Sequence, residues 1–240
     1  MKIDVLGVGF HSLTMDEAIA AGARLSDCEG FHYVVTPNPE FILAAKKDKT
    51  FHRVLNRADL ALPDGIGVIY AAKILGRPLK SKVPGIDFAA GLMAELAKSG
   101  AGLFLLGAKP GVAEIAAKNL RKTYPGLNIC GIHDGYFKED TPVIEKIKDS
   151  GAAVLFTCLG APKQELWMAQ NGPSTGVHLA VGLGGSLDVF AGTAERAPEI
   201  WQKLGLEWLH RLIKEPKRIG RMARLPLVLV DAVLARLHEH

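Results

Sequence analysis

The feature that most constrains this chain is a repeated alternation. Short apolar, β-prone runs occur at Lys2–Val8, His32–Thr36, Leu60–Leu62, Gly102–Gly107, Ile129–His133, Ala153–Cys158 and Val177–Val181. Stretches with helical spacing separate them, at Asp16–Leu25, Pro39–Lys46, Gly65–Leu75, Ile86–Lys98, Gly111–Tyr124, Thr141–Ser150 and Lys163–Asn171. Several of the apolar runs are continuous, as expected of strands covered by helices on both faces. Strand alternating with helix predicts an α/β fold with a parallel sheet flanked by crossover helices. From Arg196 onward the strand signals stop. Short helical stretches punctuated by Pro198, Gly205, Pro216, Gly220 and Pro226 follow.

This divides the chain into an α/β core over 1–202, with a soft lobe boundary near 100, and a helical appendage over 203–240. Charge divides at the same place. The appendage carries eight Lys and Arg against four Asp and Glu, whereas the other 202 residues hold 21 of each sign. A hydrophobic content of 48% excludes a disordered chain. Cys28, Cys130 and Cys158 have no metal-type spacing and predict reduced, buried thiols of a cytosolic protein. Asp4 interrupts the start where a secretory leader would be apolar. The longest apolar stretch, Leu225–Leu237, is too short to span a bilayer and contains Pro226 and Asp231.

The candidate sites lie at strand ends. Gly7-Val8-Gly9 lacks the third glycine of a dinucleotide fingerprint, and the following Thr14-Met15-Asp16-Glu17 reads as a capping box after a loop. Gly107-Ala108-Lys109-Pro110-Gly111 leads from an apolar strand into a helix, a junction that suits a phosphate or nucleotide and also occurs as a plain tight turn. Gly182-Leu183-Gly184-Gly185 repeats the arrangement, with Asp188 placed to grip a ribose or base edge. Tyr136 either stacks on a base or belongs to the core. Asn38 either caps the helix from Pro39 or meets a ligand beside Thr36, and Asp64 is either a base or a cap. Gln164 falls in a first helical turn facing the sheet crevice. Lys80 and Lys82 are either solvated or meet a phosphate. There is no HxxxH, DxD, GxSxG or Walker A pattern, so no metal site is expected.

In the appendage, Arg211, Lys214, Arg218 and Arg221 fall near one helical face, interrupted by Pro216. With Trp201, Trp208, Leu209, Leu212 and Ile213 they suit an anionic membrane surface. RNA is the rival partner, but no aromatic-rich sheet motif supports nucleic-acid binding.

Six motifs in order, Thr36-Pro37-Asn38-Pro39-Glu40, Pro63-Asp64-Gly65-Ile66-Gly67, Gly107–Gly111, Gly131–Phe137, Gly160–Glu165 and Gly205–Leu212, resemble the WecG/TagA/CpsF glycosyltransferase family over roughly Ile3 to Leu229. The Lys214–Arg218 continuation is most similar to its TagA branch, which builds the wall teichoic acid linkage unit. The resemblance implies a Rossmann-like α/β core and inverting, metal-independent and cofactor-free transfer of N-acetylmannosamine from its UDP-activated form. The acceptor it implies is N-acetylglucosamine on undecaprenyl diphosphate, joined in a β-1,4 linkage at the cytoplasmic face of the plasma membrane. Carried over, Asp64 is the general base, and Thr36 and Asn38 contact sugar or acceptor. Gln164 lies beside the donor, and Gly107, Ala108, Lys109, Tyr136, Gly184, Gly185 and Asp188 hold uridine and diphosphate. Arg211, Arg218 and Arg221 meet a diphosphate.

The family pattern has Arg where this chain has Lys82, which keeps the charge but loses the bidentate fork on phosphate. Pro84 likewise replaces a small or hydroxylated residue. Other readings are another UDP-sugar donor, a membrane-docked nucleotide-binding regulator and, more remotely, an NAD-dependent reductase. A homo-oligomer is compatible with all of them.

Overall fold

The computed structural model describes residues 1–203, 205–214 and 225–238, without the side chains of Lys203, Arg211, Lys214 and Leu225. Its frame is a six-stranded parallel sheet of β3 (His32–Val35), β4 (Leu60–Ala61), β5 (Leu103–Gly107), β6 (Ile129–His133), β7 (Val154–Cys158) and β8 (Leu179–Gly182), in the order β4-β3-β8-β7-β5-β6. Every pairing is parallel. The β3–β8 pair joins the two halves of the chain, so the sheet runs unbroken past residue 100.

The predicted first strand is instead a hairpin. β1 (Lys2–Val5) and β2 (Val8–His11) pair antiparallel around Leu6 and Gly7, both with positive φ. That is the two-residue turn favoured between antiparallel strands. The hairpin attaches to the sheet edge, where the Ala61 N–H donates to His11 Nδ1 at 3.0 Å. Burial and this hydrogen bond depend on an uncharged ring, and the imidazole pKa falls to about 4, chiefly through desolvation.

Sheet residues alternate between two apolar layers. Tyr33, Val35, Phe104, Leu106 and Leu155 face one layer; Val34, Leu103, Leu105, Val154, Phe156 and Val181 face the other. The first layer is closed by α2 (Pro39–Lys47), α3 (Lys49–Arg57), α4 (Ile66–Ile74), α7 (Asp140–Asp149) and α8 (Lys163–Asn171). The second is closed by α1 (Met15–Asp27), α5 (Gly85–Ser99), α6 (Val112–Thr123) and α9 (Ser186–Ala191). The Thr14–Glu17 capping box forms as expected, with both reciprocal hydrogen bonds present. Of the cysteines, Cys158 is buried, Cys130 half-buried and Cys28 exposed, which corrects the expectation that all three are buried.

Beyond α9 lie α10 (Glu199–Lys203), α11 (Glu207–Lys214) and α12 (Leu225–His238). Helix α12 returns to the core, burying Val228 and Ala232 in the first layer, and Lys46 Nζ meets Asp231 at 2.6 Å. Its opposite side leaves Leu227, Val230, Val233, Leu234 and Leu237 exposed. Among the described residues no helix is long and apolar enough to cross a membrane.

Candidate active site

Because all six strands of the main sheet run the same way, their carboxyl ends form one rim, where ligands of open α/β sheets bind. Asp64 follows β4, Thr36 and Asn38 follow β3, and Gly184–Asp188 follow β8. Gln164 follows β7, Ala108 and Lys109 follow β5, and Tyr136 follows β6. At the usual strand spacing the rim is roughly 24 Å from β4 to β6.

One half of it is a cleft of about 600 Å³, lined by Ala108, Lys109, Gly135, Tyr136, Phe137, Cys158, Leu159, Gly160, Lys163, Gly184, Gly185 and Asp188. The expected nucleotide residues thus converge, except that Gly107 is not in the lining. Gly107 closes β5 at φ +132, where a Cβ would run into the Cys158 carbonyl. That close approach lets the Ala108 N–H donate to the Cys158 carbonyl at 3.2 Å, and the Gly135 N–H to the Ala108 carbonyl at 2.9 Å. Ala108 itself has φ +60, an uncommon backbone state for a residue with a side chain. Tyr136 is 68% exposed, which removes the core-tyrosine reading and leaves its ring free to stack. Lys163 Nζ lies 4.9 Å from the Phe137 ring centroid, and Lys163 lines the cleft as a second cation together with Lys109. Sequence reasoning passed over Lys163 and Phe137, although both stand inside quoted motifs.

Gln164 is buried, with its Oε1 accepting the Gly184 N–H at 2.9 Å and its Nε2 donating to Glu165 Oε1 at 2.6 Å. Glu165 is fully buried, and desolvation pushes its pKa up to about 7.

The other half of the rim is built by β3 and β4. Asn38 does cap α2, its Oδ1 accepting the Glu40 N–H at 2.8 Å. Thr36 is buried, and its hydroxyl donates to the Gly182 carbonyl at 3.2 Å, tying the end of β3 to that of β8. The Asp64 loop is pinned on both sides: Asp64 N–H donates to the Pro37 carbonyl at 3.1 Å, and Val83 N–H to the Pro63 carbonyl at 2.9 Å. Beside it, Arg196 grips Asp87 through two bonds of 2.6 and 2.7 Å, and Asp64 and Glu207 add to the negative field that keeps the guanidinium charged. Lys82 Nζ bonds Glu207 of α11 at 2.9 Å, whereas Lys80 pairs with Glu17. Arg196, Asp87 and Glu207 were not singled out from sequence. Arg211 lies on α11, and Arg218 and Arg221 fall outside the described residues.

The structure is thus an α/β protein with a glycine-lined cleft at the carboxyl ends of its parallel strands. Residues 3–240 match the glycosyl transferase WecG/TagA/CpsF family. The chain belongs to that family and is a glycosyltransferase. Among its relatives is the N-acetylglucosaminyldiphosphoundecaprenol N-acetyl-beta-D-mannosaminyltransferase of Bacillus spizizenii strain W23, 37% identical over 84% of this chain and 78% of the relative. A protein of the same name from Staphylococcus aureus strain MW2 is 34% identical over 98% of this chain and 93% of its own length.

Proposed function

We propose that the chain transfers N-acetylmannosamine, with inversion and without a metal ion, from UDP-N-acetylmannosamine to undecaprenyl-diphosphate-linked N-acetylglucosamine, making the β-1,4 bond of the wall teichoic acid linkage unit. The observation that carries this reading is the division of one rim. The residues expected to hold a nucleotide line a cleft at β5–β8, while the carboxylate expected to act as base follows β4 on the same rim. Relatives named for this transfer support it.

In this mechanism Asp64 takes the proton from the acceptor hydroxyl as its oxygen attacks the anomeric carbon. The bond from that carbon to the β-phosphate oxygen breaks on the opposite face, and UDP leaves. Developing charge on the diphosphate is met by Lys109 and Lys163, which line the cleft. The absence of a DxD pair in the sequence supports a metal-free version of this step. The outward apolar side of α12 and the basic excess of the appendage support docking on an anionic cytoplasmic leaflet.

The test is UDP release from UDP-N-acetylmannosamine with the lipid-linked acceptor in EDTA, for wild type and Asp64→Ala. Turnover reduced at least about a hundredfold in the variant is expected. Full turnover by the variant overturns the role of Asp64, and turnover only with another UDP-sugar overturns the donor.

A further inference from the structure

Glu165 is a buried carboxyl group for which the reaction above has no use. Its Oε1 accepts from Gln164 Nε2 at 2.6 Å, while Oε2 has no hydrogen-bond partner. An apolar residue would avoid the cost of burying such a group. The adjacent Gln164 amide has two ends of nearly equal shape and opposite chemistry. With Nε2 on Glu165, its Oε1 must face the Gly184 N–H, which it accepts at 2.9 Å. The reverse orientation would set two acceptors against each other and two N–H donors against each other. The pair packs directly under β8, where a Cβ on Gly182 would lie 3.0 Å from Gln164 Nε2 and 3.2 Å from Glu165 Oε1. Gly184 and Gly185 then line the cleft with Asp188.

We propose that Glu165 is a positioning residue: it locks the Gln164 amide in the orientation that holds the Gly184 turn, and so shapes the donor cleft without touching the donor. This rests on the reading of that cleft as the donor site.

The experiment compares wild type, Glu165→Gln and Glu165→Met in UDP-sugar kinetics and in amide hydrogen exchange followed by NMR. The glutamine variant still offers an oxygen to Gln164, whereas the methionine variant offers none. Glu165→Met should raise KM for the donor about tenfold with kcat within about threefold, and speed Gly184 exchange about tenfold while Leu179–Val181 stay protected. Glu165→Gln should remain within about threefold of wild type throughout. An unchanged KM in Glu165→Met, a loss in kcat alone, or Glu165→Gln as impaired as Glu165→Met overturns the proposal. If Glu165→Met does not fold, wild type and Glu165→Gln decide: both must protect the Gly184 amide and the Gln164 side-chain amide, and fast exchange at either overturns it. If wild type turns over no UDP-sugar, the donor reading fails, yet the exchange data still decide what Glu165 does.

Discussion

Glu207 Oε2 lies 2.9 Å from Lys82 Nζ, so a carboxylate of the appendage sits on the lysine of the loop that adjoins Asp64. The two side chains are only 18% and 20% exposed, and Arg196 Nε stands 3.7 Å from the other Glu207 oxygen. The pair therefore holds α11 against the core.

Glu207→Gln should loosen α11 by about 1 kcal/mol, read as roughly fivefold faster amide exchange over 207–214. Lys82→Ala should give a similar increase, and the double variant little more, because both remove one interaction. Additive effects of the two changes would refute the coupling. In kinetics, Lys82→Ala should also raise KM for the UDP-sugar, and unchanged kinetics would exclude a phosphate-binding role for Lys82.

Arg196→Lys keeps the positive charge but cannot reproduce the two-pronged grip on Asp87. We expect a loss of about 1–2 kcal/mol in urea unfolding at pH 7. A variant as stable as wild type would show that charge alone suffices at this position.

Buried Glu165 and half-buried His11 should give stability opposite pH dependences. The folded pKa of Glu165, about 7, lies above the ordinary carboxylate value, so its contribution is complete at low pH. It is lost as pH rises toward 7, by on the order of 3 kcal/mol. His11 titrates in the fold near pH 4, below the ordinary imidazole value, so its contribution is lost as pH falls from about 6.5 toward 4. Melting curves from pH 4.5 to 7.5 should show Glu165→Gln removing the loss on the alkaline side and His11→Gln blunting that on the acid side. A Glu165→Gln curve parallel to wild type would contradict the first assignment.

Gly107 and Gly111 both have positive φ, yet a Cβ at 107 would meet backbone whereas one at 111 would meet open space. Gly107→Ala should therefore cost at least about 2 kcal/mol, and Gly111→Ala closer to ~1 kcal/mol. Equal melting temperatures would mean that the approach of β5 to β7 can relax.

The strands that could be read were those covered on both faces, such as Leu103–Gly107 and Val154–Cys158, where apolar residues run on without alternation. The β1–β2 turn was missed because Leu6, which has no turn preference, adopts φ +56. Helix α3 was missed because its sequence is mostly polar and only Phe51 and Leu55 are buried; Asp48 ends α2 and caps α3 at once. The rim residues were legible because strand ends require glycine and proline in a local pattern. Arg196 with Asp87, and Glu207 with Lys82, come together from 109 and 125 positions apart, and no local pattern marks such pairs. Glu165 escaped notice for a related reason: an acid in a first helical turn looks like an exposed dipole partner until the sheet beneath it is known.

The strand order also separates the enzyme's inheritance. Thr36, Asn38 and Asp64, at the β4–β3 end of the rim, are encoded before residue 100, and the whole lining of the cleft on the β5–β8 end after it. On the proposed roles, a recombination joint near that position would exchange the half proposed to hold the donor while keeping the proposed base. Such a graft must keep every contact that crosses the joint: a β8 carbonyl for the Thr36 hydroxyl, the Arg196–Asp87 and Lys82–Glu207 pairs, and the seat of α12 with its Lys46–Asp231 bond.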